Sequence, residues 1–111
     1  DIRPASPRNV VNLKSRGVIP VAILTSDTFD ATRVVTQSVR FGPNAARAHG
    51  RGHIRDVNRD GRPDLVLHFR TQETGIQCSD QTVSLTGETT AGEFIRGSDS
   101  VTIVGCGKSG G

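Results

Sequence analysis

Apolar residues along this chain come in short runs, and glycine, proline, aspartate and asparagine separate them. "VIPVAIL", Val18 to Leu24, is rich in β-branched side chains and too short for a stable helix, so it predicts a buried strand. Pro20 cannot donate to a ladder, which places it near the start of that strand or on a sheet edge. In "TSDTFD", which follows, Ser26 and Asp27 suit the cap of one helical turn. "SVRF", Ser38 to Phe41, predicts another short strand closed by the turn signal "GPN". "LVLHF" alternates Leu65, Leu67 and Phe69 against Val66 and His68, the pattern of a half-buried strand. "TVSLTGE" sets Val83 and Leu85 on one face, "TAGE" turns the chain into "FIRG", and "SVTIV", Ser100 to Val104, completes the series.

About six to eight short strands and one helical turn predict an all-β fold, either a small β-sandwich or an open barrel. Composition agrees with that reading. The 111 residues are 33% hydrophobic, with 13 Gly, four Phe and no Trp, Tyr or Met, so Val and Ile must supply most of a modest core. We expect a single domain over residues 1–105 and a flexible tail over 106–111. The "GKS" of that tail is no phosphate loop, because Thr102 stands where such a loop needs glycine. No apolar stretch approaches the ~18 residues of a membrane span. The opening "DIRPASPRN" is not a secretory leader, which suggests a mature fragment or one domain of a larger protein.

The net charge of +3 is mild for a nucleic-acid binder, yet arginines concentrate at Arg47, Arg51, Arg55, Arg59 and Arg62. The plain reading is a solvated basic face. The functional one is that Arg47, Arg51 and Arg55 bind an acidic polysaccharide or another anionic polymer. Nucleic acid is disfavoured, since no stacking aromatics interleave the basic residues. Cys78 and Cys106 lack the paired spacing of a zinc site, and the three histidines add no tetrahedral set. Two readings of the cysteines stand: a disulfide or two free buried thiols. A disulfide would close a loop of about 28 residues, stabilise by about 3–4 kcal/mol, and imply an oxidising compartment.

The densest chemistry is "DVNRDGRPD", residues 56 to 64. Calcium takes six to eight oxygens, and a calcium loop of the helix–loop–helix kind supplies them from positions 1, 3, 5, 7, 9 and 12, with glycine at 6. Here Asp56 falls at 1, Asn58 at 3, Asp60 at 5, Gly61 at 6, the Arg62 carbonyl at 7 and Asp64 at 9. Position 12 is Leu67 rather than glutamate, and a strand follows rather than a helix. A solvated Asx-rich turn needs only one or two of these residues. Magnesium fits less well, because it keeps several waters and seldom uses a dedicated loop. The loop resembles the calcium hairpins of integrin-type propeller repeats and of dockerin-like modules. That resemblance implies that loop oxygens do most of the coordination, with the remainder from water or from Glu73, Asp80 or Asp99.

Other constellations are weaker. His49 and His53 in "HGRGH" are spaced for a helix that two glycines oppose, and His68 sits on the polar side of its strand. No G-x-S-x-G nucleophile occurs, and the one dense carboxylate group is better used on a metal, so no enzymatic activity is expected. Over most of residues 1–105, "NLKSRGVIPVAILTSDTFDATRV", "VRFGP", "DVNRDGRPDLVLHFRTQETGI" and "LTGET" resemble a module that recurs in secreted bacterial proteins, often near a C-terminus beside enzymatic or adhesive domains. The resemblance implies an extracytoplasmic accessory module with a structural calcium site and neighbouring domains as partners. Its alternative is a calcium-dependent binder of acidic polysaccharide.

Overall fold

In a computed structural model that describes residues 9–106, nine short strands form three sheets among the described residues. They are β1 (Val10–Asn12), β2 (Val18–Ile23), β3 (Arg40–Phe41), β4 (Ala46–Arg47), β5 (His53–Arg55), β6 (Asp64–Arg70), β7 (Thr82–Glu88), β8 (Phe94–Ser100) and β9 (Thr102–Val104). One sheet has the order β2-β6-β5 and another β4-β3-β7-β8, both antiparallel, while β1 and β9 pair in parallel. The all-β expectation holds. No described helix is long and apolar enough to cross a membrane.

The two larger sheets share one core because each contributes a face of period two. Ile19, Val21 and Ile23 of β2 lie opposite Phe69, Leu67 and Leu65 of β6, and all six belong to the core or pack on it. From the other sheet come Phe41, Val83 and Leu85. The rings of Phe41 and Phe69 stack with centroids 4.8 Å apart, which joins the two layers. Burying each such side chain contributes about 1.5–3 kcal/mol. Pro20 sits in β2 on the edge of its sheet, where a missing N–H costs no ladder bond.

Several expectations need correction. Ser26 and Asp27 cap no helical turn: Ser26 bridges Phe29 around a tight turn. The turn that does form is 3-10, Ala31–Arg33, and its cap is Asp30. A hydrogen bond from the Thr32 hydroxyl, with a second from the Thr32 N–H, holds the Asp30 carboxyl below its ordinary 3.8. The cap's contribution is therefore present above the unfolded value and lost as pH falls through the folded one. Two more 3-10 turns occupy Thr36–Ser38 and Thr71–Glu73. Ser38 thus falls outside the expected strand, leaving only Arg40–Phe41. "SVTIV" is divided at Val101: Ser100 ends β8 on β7, and the chain then crosses to run parallel with β1. β6 is more than half-buried, because Val66 on its second face is only 4% exposed.

Cys78 and Cys106 form a disulfide, with Cα atoms 5.8 Å apart, that ties the chain beyond β9 to the loop before β7. The remainder of the expected tail, 107–111, lies outside the described residues. The Asn9 side-chain amide donates to the Asp99 carboxylate at 3.0 Å and to the Ser100 carbonyl at 2.8 Å, securing the β8–β9 junction.

Gly52 seats β5 against β6. Its φ is +72°, and a Cβ there would stand 2.5 Å from both the Val66 carbonyl oxygen and Leu67 Cδ2. Gly52→Ala is accordingly expected to cost about 2 kcal/mol, through left-handed strain and lost packing. Gly61 has a similar φ of +83° but open space around it, so Gly61→Ala should cost about half as much. Urea unfolding of the two variants measures the difference.

Candidate metal centre

The sequence from Asp56 to Asp64 links edge strand β5 to central strand β6, so the loop's two ends are pinned by the register of Arg55 with Asp64. Asp64 is fully buried, at 0% exposure. Its Oδ1 accepts the Thr25 N–H at 2.9 Å and its Oδ2 accepts the Val57 N–H at 3.0 Å. One carboxylate therefore ties the exit of β2 and the start of the loop to the first residue of β6. The Thr25 hydroxyl extends this clamp, donating to the Pro63 carbonyl at 2.6 Å and accepting the Ala31 N–H at 2.9 Å.

The rest of the loop wraps around Asp56. Its carboxylate accepts the Gly61 N–H at 2.9 Å and the Asp60 N–H at 3.3 Å, and Asp60 accepts the Arg62 N–H at 2.9 Å. Two left-handed residues, Arg59 at φ 59° and Gly61 at φ 83°, make the bend. Glycine adopts that conformation freely, whereas for arginine it is uncommon. The outcome is that Asp56, Asp60 and Asp64 each place a carboxylate oxygen within 4.8 Å of the others'. Oxygens on one hard cation stand at most two bond lengths apart, roughly 4.1 Å for magnesium and about 4.6–5.2 Å for calcium. The spacing fits a hard cation in the middle.

Of the other expected ligands, Asn58 is exposed on the same loop. The Arg62 carbonyl belongs to it too, while the Arg62 guanidinium turns away to pair with Asp27. Glu73, Asp80 and Asp99 do not join the acidic group. Glu73 lies in a 3-10 turn, Asp80 accepts the Gln77 N–H at 2.8 Å, and Asp99 accepts the Asn9 amide. These three carboxylates therefore do not complete the group formed by Asp56, Asp60 and Asp64. Thr25 and Asp27, which brace the loop, gave no signal in the sequence, because they stand 39 and 35 positions from their partners.

The basic stretch is less unified than its sequence suggests. Arg47 lies on β4 opposite Arg40, Arg55 on β5 opposite Asp64, and Arg51 on the connection between the two sheets. All three are exposed. The histidines do come together. His53 and His68 stack with ring centroids 5.6 Å apart, and His49 Nδ1 accepts the Arg70 Nε–H at 3.2 Å. Set beside known protein families, curated proteins and solved structures, the chain matches none of them.

Proposed function

We propose that the 56–64 loop holds one calcium ion and that the domain is an extracellular accessory module stabilised by it. The observation that carries this reading is the convergence of Asp56, Asp60 and Asp64 to within 4.8 Å. Three carboxylates so close repel one another, and a divalent cation removes that repulsion. The carboxylates of Asp56, Asp60 and Asp64, the Asn58 side chain and the Arg62 carbonyl are the donors, with water completing the six to eight oxygens calcium takes. Although Asp64 already accepts two N–H groups, a carboxylate has about four lone-pair sites and keeps room for a metal.

The role is structural rather than catalytic. Calcium in this position fixes the turn that feeds β6, the strand that carries Leu65, Leu67 and Phe69 into the core. The disulfide supports an oxidising compartment outside the cytoplasm, and the resemblance to a recurring secreted module supports neighbouring domains as partners.

Thermal melting with calcium, with magnesium and with excess chelator tests the reading. Calcium at a hundredfold excess over its dissociation constant should add about 2.7 kcal/mol by mass action. Magnesium should add much less, and Asp60→Ala should lose the calcium response. A wild type indifferent to calcium, or an Asp60→Ala protein that responds equally, sinks the proposal.

A further inference from the structure

The register of β5 and β6 puts His53 and Arg55 on the same sheet face as Asp64, Val66, His68 and Arg70. This is the face turned away from Leu65, Leu67 and Phe69, which enter the core. His49 joins the group through its ring, which accepts from Arg70, and through its N–H, which donates to the His68 carbonyl at 2.7 Å. The acid at one end of the face, Asp64, is buried and engaged by the Thr25 and Val57 N–H groups. His53, Arg55 and Arg70 are exposed, and among the described residues neither arginine has an ion-pair partner. Across the sheet, β2 adds no charge to this face: Val18 and Pro20 lie opposite Arg70 and His68, while Ala22 and the Val66 opposite it are buried. Arg51, exposed just before β5, adds to the positive charge.

We propose that this face of β5 and β6 binds an anionic polysaccharide, with Arg55 and Arg70 holding its sulfate or carboxylate groups. A planar guanidinium matches both anion types with two parallel hydrogen bonds. A sugar chain is favoured over nucleic acid because none of these positions carries a stacking phenylalanine, and net charge is only +3. This binding is independent of the calcium reading, since the strand faces rather than the loop oxygens carry it.

The test is calorimetric titration of the calcium-saturated protein with dextran sulfate at low salt, with neutral dextran as control. Dextran sulfate should bind, and neutral dextran not at all. The Arg55→Gln/Arg70→Gln variant should lose at least tenfold in affinity, and the matching lysine pair should recover only part of that loss. Asp60→Ala should bind like wild type, which separates this proposal from that of the metal site. Absence of binding, or binding untouched by the arginine variant, overturns it. So does a DNA duplex that displaces dextran sulfate at lower concentration.

Discussion

Asp64→Ala is expected to lower stability by about 3 kcal/mol in the presence of chelator, before any metal is considered. The side chain is wholly buried and accepts two backbone N–H groups, from Thr25 and Val57. Removing the carboxylate strands both donors, at about 1–3 kcal/mol each. Thr25 and Val57 are only partly buried, so water relieves some of the loss and the sum stays near the lower end. Asp60 makes the useful contrast. It is exposed and accepts only the Arg62 N–H within the loop, so Asp60→Ala in chelator should cost less than about 1 kcal/mol. The two aspartates thus separate two jobs that calcium melting alone would merge. Asp64 holds two strands and a loop together with or without a cation, and Asp60 matters chiefly when one is bound. Urea unfolding in chelator, followed by circular dichroism, measures both, and equal costs for the two variants would refute the assignment.

Replacing both cysteines, in Cys78→Ala/Cys106→Ala, should cost about 3–4 kcal/mol, the chain-entropy value for a bridge spanning 28 positions. The effect should also be local before it is global. β1 and β9 are three residues each, and their pairing rests on bonds such as Leu13 N–H to the Val104 carbonyl at 3.0 Å and Thr102 N–H to the Asn9 carbonyl at 3.2 Å. Without the bridge just beyond β9, those amides should exchange with solvent faster while the amides of β6 keep most of their protection. A loss of under 1 kcal/mol, or uniform exchange, would mean that the bridge adds little to a β1–β9 pair already held by its own contacts.

The elements legible in the sequence were those marked by a run of β-branched residues or by alternating apolar ones. Val21 and Ile23, Leu65, Leu67 and Phe69, and Val83 and Leu85 announce β2, β6 and β7. β3 and β9 showed only as parts of the longer runs "SVRF" and "SVTIV", while β1, β4 and β5, equally short, escaped, and His53 and Arg55 of β5 are polar. The 3-10 turns escaped for a related reason: a turn capped by Asp30 looks, in sequence, much like one capped by Ser26 or Asp27. The acidic loop was readable because its carboxylates lie within one nine-residue window. Its braces were not, since Thr25 and Asp27 come from the end of β2, and only the antiparallel register of β2 with β6 brings them to the loop. The same ignorance of which loops converge made Glu73, Asp80 and Asp99 look eligible as ligands.

The parallel pairing of β1 with β9 bears on how the domain carries load. Tension applied ahead of Val10 and beyond Val104 pulls two parallel strands past each other along their length, so their hydrogen bonds are strained together rather than unzipped singly. Beyond β9, the Cys106 bridge diverts force to Cys78, and the 28 positions between them cannot pay out. At ~3.4 Å per residue, about 95 Å of chain is withheld from extension until the bridge is reduced. Set between other domains of a longer chain, this one would resist a first pull through the β1–β9 pair and then keep the stretch from Cys78 to Cys106 in reserve behind a single covalent bond.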